Sequence, residues 1–308
     1  MPSWGIHSEI ANKLSQKVEK IIVGKTAGFC YGVKRAVEEA ENEIKNSKEH
    51  IYCLGEIIHN KQVIENLTKQ GIIFIEDINE AKGKTILRAH GVPKEIYEKA
   101  RQKNIEVKDY TCPNVLKIHK IAEEYANEGY YIILTGAEKH PEVIGIKSYC
   151  GKNFSLIEKE DDVYKTIENF EKSQIKKLLI ISQTTYSVDK FENITKIIKE
   201  KISKNVDLEI KNTICLATET RQKETEKLSK QVELMIIIGG KNSSNTKKLY
   251  EIAKQNCFNS ISVENGKEAE ETLKNMDLSI IEKVGIMAGA STPKESIDEV
   301  IKVWHLFK

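Results

Sequence analysis

Four absences narrow the class of this sequence. Neither sign of charge is in clear excess: 48 Lys and Arg stand against 46 Asp and Glu in 308 residues, a formal charge of +2. That balance gives no reason to expect nucleic acid or an anionic membrane as the main partner. No apolar run approaches the ~18–20 residues that a bilayer span needs, so no membrane partner is expected. The leader, MPSWGIHSEIANKLSQKVEK, has no apolar signal core, and secretion is not expected. The six cysteines, at positions 30, 53, 112, 150, 215 and 257, include no CxxC pair. In a large chain without an export signal the expectation is a reduced, cytoplasmic protein, not a disulfide framework.

What is present is ordinary soluble composition, 40% hydrophobic and 31% charged, in a chain too long for one compact core. Two or three lobes are expected. The runs IIVG, IYCLG, TILRA, YIILTG, LLIIS, MIIIGG and VGIMAG read as strands buried on both faces, alternating with helical patterns. The fold class is α/β with mostly parallel sheets and flanking helices.

A threefold repeat overlies that alternation. Cys30, Cys112 and Cys215 each stand just before a helix, in AGFC-YGVKRA, YTC-PNVLKIH and TIC-LATETRQ, separated by 82 and then 103 residues. Each is followed by a strand-end loop with polar groups (EIIHN, EKHPE, GGKNSSN). Next comes a strand running into an acidic helix (FIEDINEAK, LIEKEDDVYK, ISVENGKEAE), and a third loop closes the unit (RAHGVP, SQTTYS, AGASTP). Gly28 and Gly32 let the first loop turn sharply at a helix entrance, where a thiolate is favoured. Strand-end loops of parallel sheets gather at the carboxyl ends. Three lobes facing one another would therefore bring three cysteines together.

Each candidate has a plainer reading. Cys53, Cys150 and Cys257 fit small buried hydrophobes. Spacing alone leaves Cys30, Cys112 and Cys215 open between that role and metal ligation. As ligands, three thiolates suit zinc or an iron–sulfur cluster with one iron free to act on substrate. His7, His50, His119 and His305 read as surface or core residues. His59, His90 and His140 fall in strand-end loops, and with Ser243, Ser244, Asn245 and Ser291 they make a donor-rich pocket for phosphate oxygens or a metal. GGKNSSN lacks the upstream glycine and the hydroxyl residue after lysine of a nucleotide P-loop, so it reads as an anion nest. Glu142 could complement a helix dipole or donate a proton through Thr184.

Together AGFCYGVKRA, EIIHN, AHGVP, TCP, HPEVIG, QTTYS, ICLAT-x-x-RQ, KNSSN and AGAST closely resemble the 4-hydroxy-3-methylbut-2-enyl diphosphate reductase family, in order from about Ile21 to Val303. The resemblance implies three similar lobes around a central, pseudo-threefold iron–sulfur site. One [4Fe–4S] cluster would be held by Cys30, Cys112 and Cys215. The implied reaction spends two electrons and two protons to remove an allylic hydroxyl as water, giving isopentenyl and dimethylallyl diphosphates. His59, His90, His140, Ser243, Ser244, Asn245 and Ser291 would hold the diphosphate. Glu142 and Thr184 would sit at the hydroxyl, with Gln183 beside them, and a ferredoxin or flavodoxin would supply electrons. The implied organisation is a leader over 1–20, lobe 1 over 31–112, lobe 2 over 113–211, and lobe 3 over 21–30 plus 212–308. Glu219-Thr220 departs from the family's Thr-Asn near Cys215. Two rivals remain at this level: a three-cysteine cluster dehydratase or synthase resembling quinolinate synthase, and a zinc-stabilised module binding a phosphorylated ligand.

Overall fold

The short apolar runs form the centres of parallel sheets, and the helices between them cover both sheet faces. A computed structural model describes residues 20–307. The expectation for the leader falls outside them, save Lys20. Strands β2 (Ile51–Leu54), β3 (Ile72–Ile75), β4 (Thr85–Leu87) and β5 (Val107–Asp109) form one sheet in the order β3-β2-β4-β5. Strands β6 (Tyr131–Thr135), β7 (Phe154–Ile157), β8 (Lys177–Ser182) and β9 (Asp207–Ile210) form a second in the order β7-β6-β8-β9. Strands β10 (Leu234–Ile238), β11 (Asn259–Val263) and β12 (Lys283–Ala288) join the first strand of the chain, β1 (Lys20–Val23), in the order β11-β10-β12-β1. All these pairings are parallel. The three orders are one order, and β1 occupies in the third sheet the place of β5 and β9 in the others.

Burial on both faces explains the continuous apolar strands. In β10, Leu234, Ile236 and Ile238 pack on one side with Trp304, whereas Met235 and Ile237 pack on the other with Leu249 and Ala253. β5 and β9 escape the apolar-run criterion because VKD and DLEI are half-exposed edge strands. The segment FIEDINEAK departs from its expected helix. Asp77 and Glu80 close a capping box on a single 3-10 turn, Ile78–Glu80, and the chain is extended again at Ala81.

Each lobe is entered through a helix whose N-cap is a cysteine: α1 (Tyr31–Asn46) after Cys30, α4 (Pro113–Asn127) after Cys112, and α8 (Leu216–Ser229) after Cys215. The preceding strand belongs to the previous sheet. β1 leads to Cys30, β5 to Cys112 and β9 to Cys215, while α1, α4 and α8 pack with β2, β6 and β10 respectively. Each cysteine thus lies on a crossover between two sheets. The remaining helices are α2 (Lys61–Gln70), α3 (Lys94–Gln102), α5 (Pro141–Lys147), α6 (Asp162–Lys172), α7 (Val188–Lys201), α9 (Ser244–Asn256), α10 (Gly266–Leu273) and α11 (Lys294–Leu306). Among the described residues, no helix is long and apolar enough to cross a membrane.

Candidate functional site

In each sheet the strand order reverses between the first and third strands, so a crevice opens beyond their carboxyl ends. The polar loops leave from those strands. His59 follows β2 and His90 follows β4; His140 follows β6 and the Gln183–Thr185 loop follows β8; Ser243–Asn245 follows β10 and Ser291 follows β12. One cavity is lined by Cys30, Cys112, Cys215, His59, His90, His140, Glu142, Thr184, Ser243, Ser244, Asn245 and Ser291. Every residue expected at the site reaches it except Gln183.

The thiols converge because local backbone gives way. A Cβ on Gly32 would stand 2.5 Å from Cys112 Sγ, so only glycine lets α1 start this close to the second cysteine. Gly32 therefore provides room; the turn itself is made at Gly28, which has φ +97°. Asn114 Nδ2 donates to Cys215 Sγ at 3.1 Å, tying the start of α4 to the third cysteine. None of the three thiols accepts a capping bond from its own helix, and all three are half-buried. Cys53, Cys150 and Cys257 are buried, with the Cys53 and Cys150 thiols pushed up to about 12 by burial. Burial also raises Cys112, and its neighbours Cys30 and Cys215 add to the shift. Burial here works against the thiolate that a helix terminus favours.

Arg221 is a cavity residue that sequence reasoning passed over. It is buried, its Nε donates to Thr26 O and its Nη2 to Gly28 O at 2.8 Å each, and Nη1 has no protein partner. Its RQ dipeptide in ICLATETRQ was the available signal. With Nε and Nη2 each bonded to a backbone carbonyl, the guanidinium is fixed in place and Nη1 is left to meet an anion.

The histidines form a compact cluster. His59 and His90 stack with centroids 4.3 Å apart, and His140 meets each edge-on at 5.4 Å. His140 is the N-cap of α5, its Nδ1 accepting from Glu142 N at 3.1 Å. Because that nitrogen accepts, the proton of neutral His140 sits on Nε2. Burial and the neighbouring His59 lower His140 to about 3, and His90 also falls well below its ordinary value, mainly through burial. His90 Nδ1 and both polar atoms of the Asn245 side chain are buried without protein partners. Such groups are costly unless a ligand meets them. Ser243 caps α9, accepting from Thr246 N, and Ser291 Oγ donates to His59 O at 3.1 Å across two lobes.

Glu142 is 2% exposed. Thr184 N donates to Oε1 at 2.6 Å and Thr184 Oγ1 to Oε2 at 2.7 Å. Desolvation raises the carboxyl to about 7 although both Thr184 bonds oppose it. A carboxylic acid with that value can deliver a proton at neutral pH. Gln183 instead bridges loops: its Oε1 accepts from Ala137 N at 3.1 Å and its Nε2 donates to Thr185 Oγ1 at 2.9 Å. It lines the outer cleft beside the cavity. His119 is core, as read, but both its ring nitrogens lack protein partners and its ring stacks on Tyr149 at 4.4 Å.

Comparison with known proteins meets this geometry along nearly the whole chain. The family described as LytB protein matches residues 21–305. The chain belongs to the LytB family. Among its relatives, a 4-hydroxy-3-methylbut-2-enyl diphosphate reductase of Alkaliphilus oremlandii is 45% identical, over 92% of this chain and 98% of that protein. The reductase of Clostridioides difficile is 39% identical, over 91% of this chain and 97% of that protein. A solved structure of (E)-4-hydroxy-3-methyl-but-2-enyl diphosphate reductase, the terminal enzyme of the non-mevalonate pathway, superposes with TM-score 0.66 at 36% identity, covering 94% of this chain and all of that one. The reductase of Plasmodium falciparum superposes with TM-score 0.81 at 31% identity, covering 92% and 87%. LytB structures thus share the three parallel sheets and flanking helices.

Proposed function

We propose that this chain reduces 4-hydroxy-3-methylbut-2-enyl diphosphate, removing its allylic hydroxyl as water with two electrons and two protons to give isopentenyl and dimethylallyl diphosphates. We assign the lobes as residues 31–112, 113–211, and 21–30 with 212–308. The observation that carries the reading is the single cavity in which three thiols, a buried acid near neutrality and a cluster of anion donors meet.

The thiols fit a cluster better than a single ion. A tetrahedral zinc, with Zn–S bonds of about 2.3 Å, sets its sulfurs about 3.8 Å apart. Among the described residues, the ligand atoms that approach within 4.8 Å of one another are those of His59, His90 and His140, and the three thiols form no such group. Three helix N-termini and the unpaired Arg221 Nη1 favour an anionic group at the thiols. Cys30, Cys112 and Cys215 would hold a [4Fe–4S] cluster, leaving one iron without a protein thiolate. When bound, that cluster supplies a Lewis acid and a store of single electrons.

The chain's own residues do the rest. His90, Asn245 and His140 Nε2 offer donors to the diphosphate, together with Ser243, Ser244, Ser291 and His59. Anchored at that remote end, the substrate is positioned for reaction at its allylic carbon. Thr184 holds both oxygens of Glu142, and the acid gives a proton to the departing hydroxyl. Gln183 fixes the two loops that carry them.

Reconstituted protein, assayed anaerobically with the substrate and reduced methyl viologen, should yield both isoprenoid diphosphates. Full iron loading without product would overturn the reading. Four irons per chain, with the visible absorption of an iron–sulfur centre, would exclude the zinc-module rival.

A further inference from the structure

We propose that Arg221 and Asn114 raise the reduction potential of the bound cluster, Arg221 by a fixed buried charge and Asn114 by a hydrogen bond to a ligating sulfur. The inference rests on the cluster reading of the three thiols and deepens it, from which residues hold the cluster to which residues set how readily it takes an electron.

The three cysteine-capped helices hold one another's cysteines in a cycle. α1 brings Arg35, whose Nη2 donates to Thr111 O at 2.6 Å, next to Cys112. α4 brings Asn114, whose Nδ2 donates to Cys215 Sγ at 3.1 Å. α8 brings Arg221, whose Nε and Nη2 hold Thr26 O and Gly28 O on the approach to Cys30. The three clasps differ in what they leave over. Arg35 is not among the residues lining the cavity, whereas Asn114 and Arg221 are. Arg221 is 3% exposed, and its Nη1 is buried without a protein partner. Among the described residues lining the cavity, no other is a lysine or arginine. Glu224, also on α8, gives its carboxylate to the same loop, accepting from Lys25 N at 2.7 Å and Thr26 N at 2.9 Å. Burial lowers the Arg221 pKa, and the charges of Cys30, Cys215 and Glu224, in falling order, oppose that shift. A guanidinium keeps its proton under such conditions.

The electrostatic consequence follows from charge counting. An iron–sulfur core with two positive charges and three thiolates carries one net negative charge, and one added electron makes it two. A cation held out of water in the same cavity favours the more negative, reduced form. An N–H donated to a ligating sulfur acts in the same direction, because it stabilises electron density on that sulfur. The two contributions are unequal. Asn114 is exposed and gives one bond from a neutral amide, whereas Arg221 is buried and fully charged. A diphosphate in the cavity adds negative charge and disfavours reduction. Arg221 offsets that effect, so the substrate-loaded protein can still accept electrons.

The test is a mediated redox titration of the reconstituted protein with dithionite, read by the electron paramagnetic resonance of the reduced cluster at wild-type iron content. Arg221→Gln should lower the equilibrium constant for one-electron reduction about tenfold, or about 59 mV in midpoint potential. Arg221→Lys keeps the charge without the fork and should fall less. Asn114→Leu, of similar volume but without the donor, should also fall, by less than Arg221→Gln. An unchanged midpoint in either Arg221→Gln or Asn114→Leu would overturn the proposal. So would an Arg221→Lys midpoint as low as that of Arg221→Gln, the mark of a lost brace and not of a lost charge. If the Arg221 variants take up no iron, Asn114→Leu decides alone: a lowered midpoint supports the proposal and an unchanged one overturns it. A wild-type protein that takes up iron and sulfide yet gives no reducible cluster signal would instead remove the cluster reading, so the two failures are distinct.

Discussion

At the scale of single residues, burial sets the chemistry. Glu142 is a carboxyl at the start of a helix, a position that ordinarily favours its charged form. Here desolvation wins, and the group sits at about 7. Its folded value is above its unfolded one. The stability it contributes is therefore fully present below about pH 4.5 and is lost as pH rises through about 7. A proton donated by this group would become scarce over the same upper limb. Turnover should fall above about pH 7, and Glu142→Gln should lose about 100-fold or more in single-turnover rate and that limb with it, while keeping iron and substrate affinity. Intact turnover in a fully loaded variant would remove Glu142 from the reaction. The histidines carry the opposite sign. His90 and His140 are held neutral by burial, and a diphosphate placed against them raises their pKa. The complex then binds more protons than the free protein, so affinity should strengthen as pH falls toward the raised value. Calorimetry in buffers of different ionisation enthalpy should detect net proton uptake. His90→Ala should weaken binding by about 1–3 kcal/mol and reduce that uptake.

At the scale of elements, the helix entrances carry the site. Cys30→Ser, Cys112→Ser and Cys215→Ser should each lose the cluster, and Cys53→Ala, Cys150→Ala and Cys257→Ala should keep it, as iron and sulfide content will report. Gly32→Ala tests the packing behind that convergence without touching a ligand. Its methyl would meet Cys112 Sγ at 2.5 Å, closer than van der Waals contact allows. The variant should fold with unchanged far-ultraviolet circular dichroism yet bind substoichiometric iron. Full loading would show that α1 can shift to make room. These elements also show where a sequence is readable. The central strands β6, β8 and β10 announce themselves as apolar runs, because both their faces are covered. VKD and DLEI do not, because an edge strand needs only half such a pattern.

At the scale of the whole molecule, the chain closes a ring of lobes: β1, first in sequence, completes the sheet that is last. Its neighbours meet through individual bonds, Ser291 to His59, Asn114 to Cys215, Lys94 N to Ser148 Oγ, and Ser296 to Gln62 at 2.8 Å. Hydrogen-bonding groups from all three lobes face one cavity, so a diphosphate bound there should draw the lobes together. Small-angle scattering should record a smaller radius of gyration with the substrate diphosphate and little change with its monophosphate. Equal affinity for the two would count against a pocket built for diphosphate.

The sequence by itself determined the α/β class, the threefold order of motifs and the set of polar residues in strand-end loops. Those follow from local periodicity and from the residue types that such loops need. It also held the family resemblance, because nine motifs in fixed order survive without any knowledge of contacts. Only the tertiary structure decided that Gln183 braces loops outside the cavity while Arg221 turns into it, since a side chain's direction depends on the partners packed around it. Only it decided the acidity of Glu142 and the neutrality of His90 and His140, because desolvation is set by neighbours from distant parts of the chain. The role of Gly32 was likewise hidden. A glycine after a cysteine reads as a turn, and the need for space appears only when the second cysteine, 80 residues away in the sequence, lies against it.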